Sequence, residues 1–299
     1  MSFRKPLTIA LAALCALSSA PLALAKKAKT AKSNAETPSD QSLAFYLLKQ
    51  LQEREQAAMQ KYETAISEED VAQIKRELQS VIDGYDKLIT DAPDYAPAYI
   101  AYGLLLNRTG NREASYAMFL KADELDPMVP VVKNQLGNYM AEEGKYMEAY
   151  GFFLMARDLA PQESLYYYQL GNLLLAYRDY FMDEGLFADY QEMDRAIQDN
   201  FREAMIYSPS DISLKMRYAQ SFFDIEDPDW MAALEIWQEL YDQAGSEFEK
   251  QMVRLYTARV RYELGHHRAA RKLLKQVDHP SLDESKQVVL DSLNAKYPE

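Results

Sequence analysis

Residues that could carry catalytic or metal chemistry are few in this sequence of 299 residues. The histidines are His266, His267 and His279, and the single cysteine is Cys15. No segment has the His-Glu-x-x-His spacing of a zinc hydrolase, a phosphate-binding glycine loop or a Gly-x-Ser-x-Gly nucleophile motif. The sequence therefore predicts a protein that is not an enzyme and that uses no metal and no cofactor.

An acidic run from Asp224 to Asp229 supplies oxygen atoms of the kind that calcium prefers. The run lacks the glycine and the distal glutamate of a calcium-binding loop, so we interpret it as a turn. The net charge of −13 at pH 7 argues against binding to phosphates, which requires clustered lysine and arginine. Nucleic acid is therefore not an expected partner.

The start of the chain has the composition of a targeting segment. Two basic residues precede a continuous apolar run, and Ala23-Leu24-Ala25 forms a small-x-small cleavage site. This order predicts that residues 1–25 are a secretory signal peptide. An uncleaved membrane anchor is the alternative, because the apolar run could nearly span a bilayer, but Pro21 and the cleavage site argue against it.

Residues 26–41 contain no aromatic and no branched aliphatic side chain, which predicts a flexible linker. Cleavage after Ala25 would remove Cys15 and leave a chain without thiols. No later apolar stretch is long enough to cross a membrane. The expected location of the exported chain is therefore the periplasm of a Gram-negative cell, where it would be soluble.

From Ala96 onward the sequence repeats itself with a period of 34 residues. The first block contains Tyr99, Tyr102, Gly103, Leu106, Ser115, Phe119, Ala122 and Pro127, and the second contains Lys133, Leu136, Gly137, Met140, Ala149, Phe153, Ala156 and Pro161. Each block has apolar residues at helical spacing and ends at a proline, which cannot continue a helix. Gly110 and Gly144 fall between the two predicted helices of each block, where glycine permits a left-handed turn.

The pattern resembles the tetratricopeptide repeat (TPR), a helix–turn–helix unit that stacks into a superhelix. This resemblance implies an all-α fold, a right-handed α-solenoid of TPR repeats, in which each unit covers the apolar face of its neighbour. It also implies a protein that binds peptides or other proteins in a concave groove.

The repeat pattern divides the rest of the chain into units. We predict an N-terminal helical pair at 42–93, regular repeats at 96–129 and 130–163, a repeat with an insertion of about 14 residues at 164–211, divergent repeats at 212–245 and 246–279, and a C-terminal cap helix at 280–299. In the N-terminal pair, Leu43, Tyr46, Leu47, Leu51 and Ala58 lie at helical spacing and are expected to face the core. Ser67 and Asp70 have the spacing of a capping box that would open its second helix.

The resemblance also implies which residues line the groove, because the first helix of each unit faces it. The predicted partner-binding residues are Ile100, Leu104, Arg108, Asn134, Asn138, Glu142, Tyr168, Asn172 and Gln220. Amide side chains suit this role because they pair with both the donors and the acceptors of an extended peptide. A clamp for a C-terminal carboxylate, known in one variant of the family, is not expected because Ile100, Leu104, Tyr168 and Asn172 are not basic.

Two irregular regions could add specificity. The insertion carries Tyr180, Phe181, Phe187 and Tyr190, which either pack on the neighbouring repeat or grip a partner. Residues 179–243 are strongly acidic, whereas 250–275, which include Arg268 and Arg271, are strongly basic. These regions could pair within the chain, meet an anionic partner or mediate self-association with a second copy.

These patterns together predict a non-catalytic periplasmic adaptor or scaffold that binds a peptide or protein during assembly of the cell envelope. The alternative is a scaffold for polysaccharide export or modification, which would contact glycan through the aromatic residues of the insertion.

Overall fold

The structure is a computed structural model that describes residues 40–64 and 67–298. The predicted signal peptide, 1–25, lies outside the described residues, as does 26–39 of the predicted linker. The first helix begins at Asp40, two residues before the predicted start of the helical pair at Ser42.

Within the described residues the chain forms fourteen α-helices and no strand. The helices are α1 Asp40–Thr64, α2 Glu68–Asp91, α3 Ala96–Arg108, α4 Arg112–Leu125, α5 Pro130–Glu142, α6 Tyr146–Leu159, α7 Ser164–Ala176, α8 Arg178–Asp183, α9 Tyr190–Tyr207, α10 Ile212–Ser221, α11 Trp230–Gln243, α12 Glu247–Glu263, α13 His267–Leu274 and α14 Asp283–Lys296. A 3₁₀ turn, Pro280–Leu282, precedes α14. In the described part of the chain, no helix is long and apolar enough to span a membrane.

Helices pack on their neighbours in chain order, and α7 packs on α9 across the short helix α8. A glycine and a phenylalanine determine how closely the two helices of a regular unit approach. A Cβ atom added to Gly137 would lie 2.6 Å from Cε1 of Phe153, and one added to Gly103 would lie 2.9 Å from Cε1 of Phe119. The phenylalanine of each unit therefore packs against the glycine of the same unit.

Local turn and capping signals have their predicted geometry. Gly110 and Gly144 have φ angles of 81° and 74°, in the left-handed region. Ser67 and Asp70 form a complete capping box at the start of α2. These features depend only on nearby residues, so the sequence was sufficient to predict them.

The buried face of α1 differs from the predicted stripe. Leu43 and Tyr46 are 54% and 58% exposed, whereas Leu51 and Ala58 are buried as expected. The buried face of α1 consists instead of Ala44, Leu48, Leu51, Glu55 and Ala58, and the Tyr85 hydroxyl donates a hydrogen bond of 3.0 Å to the Glu55 carboxylate. The buried face is therefore an apolar stripe with one carboxylate in it, which the predicted stripe did not include.

Candidate interaction surface

One partly exposed position recurs on the first helix of five successive units. Each residue at this position directly follows a buried glycine or alanine, namely Gly103, Gly137, Gly171, Ala219 or Ala258. We call these five partly exposed residues the first-helix row: Leu104, Asn138, Asn172, Gln220 and Arg259. The small residue brings the paired helix close, and the next residue in the helix lies at the surface.

Hydrogen bonds connect the row to the next unit in a repeated pattern. Asn138 Oδ1 accepts from Gln169 Nε2 at 3.2 Å, and Asn172 Oδ1 accepts from Arg217 Nε at 3.2 Å. Gln220 Nε2 donates to the Tyr256 hydroxyl at 3.4 Å. Each amide therefore uses one of its polar groups to join neighbouring units. The sequence pattern did not predict this role.

The other polar group of each amide remains available. Among the described residues, Nδ2 of Asn138, Nδ2 of Asn172 and Oε1 of Gln220 have no protein partner. Because the opposite end of each amide is hydrogen-bonded, the side chain is held in one orientation. The row therefore presents donors and an acceptor that are already positioned.

Two predicted groove residues are not accessible. Ile100 is 4% exposed and Asn134 is 2% exposed, so neither can contact a partner in this structure. Ile100 packs in a core cluster with Phe119 and Leu136, at the junction between two units. Tyr168 is the equivalent residue in the unit after that of Asn134, and it is partly buried against the ring of Phe201.

Arg108 and Glu142 are exposed, but each already has an ionic partner. Arg108 binds the buried carboxylate of Glu55, and Glu142 Oε2 lies 2.5 Å from Arg112 Nε. Burial raises the pKa of the Glu55 carboxyl, against the opposing influence of Arg108. These two predicted site residues therefore contribute to packing between units in addition to any contact with a partner.

Three arginines, two near the row and one within it, were absent from the predicted site. Arg217 lies over the ring of Phe201 and its Nη1 is 3.2 Å from Asp224 Oδ2. Arg178 donates to the backbone oxygen of Asp224 at 3.3 Å. Arg259, the last member of the row, could have been found from the sequence because it directly follows Ala258, the small residue of its unit.

The aromatic residues of the insertion pack inward. Phe181 is fully buried, with 0% exposure, and Tyr180 packs edge-on against Tyr146. The ring of Tyr190 lies beneath Arg178, and Phe187 is a partly buried member of the same core cluster as Phe181. The insertion is therefore part of the core, and this packing does not favour an aromatic surface for glycan.

Solved structures similar to this chain share its helical repeats. YrrB, described as a TPR protein with an unusual peptide-binding site, aligns with a TM-score of 0.55 at 16% identity, over 70% of this chain and 96% of YrrB. The chain has a TPR fold. PilF of Pseudomonas aeruginosa aligns with a TM-score of 0.52 at 16% identity, over 82% of this chain and 99% of PilF.

PilW, described as a type IV pilus biogenesis factor, aligns with the TPR solenoid with a TM-score of 0.52 at 12% identity, over 80% of this chain and 98% of PilW. No protein-family model and no curated protein sequence matches the chain. At identities of 12% and 16% the structural similarity establishes the fold and does not identify a ligand.

The basic region of the TPR solenoid contacts the preceding unit through Arg254 Nη2, which donates to the Tyr241 hydroxyl at 2.8 Å, and not through the acids that one interpretation of the sequence expected. Arg254 Nη1 lies 2.6 Å from Glu247 of its own helix. Arg271 donates to Asn294 Oδ1 and to the Tyr297 backbone oxygen, each at 2.7 Å, and thereby holds α13 against α14. The other cations of this region contact no carboxylate among the described residues; they are Lys250, Arg259, Arg261, Arg268, Lys272 and Lys275.

The histidines of the TPR solenoid have structural contacts. His267 stacks on the Tyr297 ring, with 4.6 Å between centroids. His279 accepts a hydrogen bond from the Ser281 backbone at the start of the 3₁₀ turn. Over residues 40–64 and 67–298, no three His, Cys, Asp or Glu side chains are grouped so that they could hold a metal ion.

Proposed function

We propose that this TPR solenoid is a non-catalytic interaction module that binds an extended segment of a peptide or protein along the first-helix row. The observation that carries the proposal is the set of oriented amide groups on Asn138, Asn172 and Gln220 without protein partners. An extended peptide presents carbonyl oxygens and N–H groups that pair with such amides. Side chains that are already ordered lose little further freedom on binding, which favours affinity.

The fold supports this proposal. YrrB is described as having a peptide-binding site, and PilW as a factor in pilus biogenesis, and both share the TPR fold of this chain. A solenoid exposes a long surface built from equivalent positions of its repeats, which suits an extended ligand. We therefore propose that the partner binds the exposed and partly exposed members of the predicted set, which are Leu104, Arg108, Asn138, Glu142, Tyr168, Asn172 and Gln220.

A selection from a random peptide library tests this function. Peptides selected by the wild-type chain should bind Asn138→Ala/Asn172→Ala about tenfold or more weakly, because two hydrogen bonds of about 1 kcal/mol each are lost. A matched control is Gln191→Ala/Gln238→Ala, which removes two exposed amides on α9 and α11 and should leave binding unchanged. Selection of no peptide, or an equal loss in both variants, would contradict the proposal.

We also propose that the protein acts in the periplasm, in assembly of the cell envelope. The support is the three-part signal pattern of residues 1–25, which ends at Ala25. Cell fractionation and mass spectrometry of the intact chain test this location. We expect a periplasmic chain that starts at Lys26, and a cytoplasmic chain that starts at Met1 would overturn the proposal.

Self-association is a second candidate property, favoured by the basic face of α13. Arg268 and Lys272 lie at i and i+4 on one side of α13, Lys275 is the residue that caps the end of the helix, and the three contact no carboxylate among the described residues. The acidic surface of residues 179–243 on another copy would complement them. We propose a contact between these surfaces that weakens with rising salt.

Sedimentation velocity tests self-association. We expect the wild-type chain to associate at low ionic strength and Arg268→Glu/Lys272→Glu to remain monomeric. Lys75→Glu/Arg76→Glu, on the exposed surface of α2, changes the charge equally and should associate like the wild type. A wild-type chain that stays monomeric at high concentration and low salt would exclude this contact.

A further inference from the structure

The first turns of α1 expose large apolar side chains to solvent. Leu43, Phe45 and Tyr46 are 54%, 54% and 58% exposed. The outward side of the helix continues with Lys49, whose side chain is 64% exposed. Lys49 lies three residues after Tyr46 and four after Phe45, so it is their neighbour on the helix surface. We call the surface formed by these four residues the α1 tip.

Lysines are also concentrated in the sequence just before the α1 tip. Residues 26–39 contain one acid, Glu36, and four basic residues, which are Lys26, Lys27, Lys29 and Lys32. Lys32 precedes Asp40, the start of α1, by eight residues, and a chain of that length spans at most about 28 Å. The covalent connection therefore keeps these cations close to the α1 tip.

The size of the α1 tip argues against a second copy of the chain as its partner. Its half-exposed apolar side chains offer on the order of 300 Å², because a whole aromatic side chain buries about 150–250 Å². A stable protein interface takes about 800 Å² from each partner. A membrane surface requires less, because a few apolar side chains can enter the headgroup region while lysines contact anionic headgroups.

The charge of the rest of the chain restricts how it could approach such a surface. With a net charge of −13, the chain as a whole is repelled by an anionic membrane. Exposed charges act over a Debye length of about 8–10 Å, so the residues nearest the membrane decide the contact. The lysines precede α1, whereas the acidic residues 179–243 belong to later units of the stack. Contact through the start of α1 therefore brings the basic residues to the membrane first.

We propose that the α1 tip and the lysines before it bind an anionic phospholipid membrane, with Phe45 and Tyr46 in the headgroup region. Aromatic side chains favour this region, and the tyrosine hydroxyl stays hydrated there. Lys49 can keep its ammonium group among the headgroups while its methylene groups lie along the apolar side chains. This contact is separate from the first-helix row and does not depend on peptide binding.

Sedimentation with lipid vesicles tests the proposal on the chain that starts at Lys26, the expected exported form. This chain should bind phosphatidylcholine vesicles that contain about one-quarter phosphatidylglycerol, bind less as salt rises, and not bind phosphatidylcholine alone. Phe45→Ser/Tyr46→Ser should weaken binding about tenfold or more, because two apolar side chains no longer leave water. Lys27→Glu/Lys29→Glu should weaken it by at least about 25-fold, since each lysine contributes about fivefold.

Matched variants separate the α1 tip from a general change of the surface. Tyr62→Ser/Met128→Ser removes apolar side chains that are 55% and 67% exposed elsewhere, and it should bind vesicles like the wild type. Lys75→Glu/Arg76→Glu reverses two exposed charges on α2 and should also bind like the wild type. The melting temperatures of the serine variants should equal that of the wild type, because all the substituted side chains are exposed.

A fluorescent label can locate the contact, because the chain that starts at Lys26 contains no cysteine. Gln50→Cys and Gln60→Cys introduce single labelling sites on exposed positions of α1, about 15 Å apart along the helix. An environment-sensitive dye at residue 50 should shift to shorter wavelength on anionic vesicles, and the same dye at residue 60 should not.

Three results would overturn the proposal. They are a chain that does not bind anionic vesicles, equal loss of binding in the α1-tip and control variants, and equal spectral shifts at the two labelled positions. Each of these results leaves the peptide-binding function intact, because the peptide selection measures binding without lipid.

Discussion

Arg178 and Asp194 form a buried ion pair, with 2.6 Å between Nη2 and Oδ1, that joins α8 of the insertion to α9 of the same unit. The second oxygen of Asp194 accepts from the Glu226 backbone at 2.8 Å, and Arg178 donates to the backbone of Asp224. Burial raises the pKa of Asp194, whereas the hydrogen bond from the Glu226 backbone and the charge of Arg178 lower it. The pair therefore joins α8, α9 and the acidic turn that follows α10.

We predict that Arg178→Ala destabilises the fold by about 3 kcal/mol, because it leaves the Asp194 carboxylate buried without its cation. A double-mutant cycle with Asp194→Ala should give a coupling energy of about 2 kcal/mol in urea unfolding. The exposed pair Arg202–Asp199, with 2.9 Å between its atoms, is the control. It should couple by less than about 0.5 kcal/mol, and equal coupling in the two cycles would refute the structural role of the buried pair.

The contact between Gly137 and Phe153 predicts opposite effects for two glycine-to-alanine substitutions. Gly137→Ala should destabilise by about 1–3 kcal/mol, because the new methyl group would meet the buried phenylalanine ring at 2.6 Å. Gly151→Ala, in α6 with open space around it, should stabilise by up to about 1 kcal/mol through helix propensity. Thermal unfolding measures both. In a Phe153→Leu background, Gly137→Ala should destabilise the fold less than it does in the wild type. An equal loss of stability in the two backgrounds would show that the ring is not the cause.

Phe181 makes the insertion part of the core, so we predict that truncating it affects stability first. Phe181→Ala should lower the free energy of unfolding by about 3–5 kcal/mol, the usual range for a buried phenylalanine. Phe187→Ala, at a partly buried position of the same cluster, should have a smaller effect. The result distinguishes the two interpretations of the insertion. A Phe181→Ala variant with wild-type melting and reduced peptide binding would restore the interpretation that the insertion grips a partner.

Glu55 predicts a specific pH dependence. Its pKa in the folded chain is raised above the ordinary value of 4.5 by burial, so its contribution to stability is fully present below pH 4.5 and is lost as pH rises through the folded pKa. The melting temperature of the wild type minus that of Glu55→Gln should therefore increase as pH falls from 7 toward 4.5. Each unit by which the pKa is raised corresponds to about 1.4 kcal/mol.

The exposed substitution Glu53→Gln, on the same helix, serves as the reference for this pH series. Comparing the two variants removes the general effect of pH on an acidic protein. If this difference in melting temperature decreases on acidification instead, the contact with Arg108 outweighs burial in setting the pKa of Glu55, and the prediction is wrong.

The sequence alone determined the repeat architecture. Close approach of two helices leaves room only for a very small residue, and the turn between them favours glycine, so Gly103, Gly110 and their counterparts one period later revealed the repeat. The capping box at Ser67 was equally readable. All these signals are local, since each depends on residues within one unit, and the solved TPR structures confirm the fold that they predicted.

Tertiary packing alone decided which polar residues are available to a partner. Asn134 and Asn138 lie one turn apart on α5, yet Asn134 is buried and Asn138 is partly exposed. Arg217 and Arg259 have the same chemistry, but only Arg217 has acceptors within reach. Those acceptors are Asn172 of the preceding unit and Asp224 of the turn after α10, and periodicity in the sequence does not specify that they meet at Arg217.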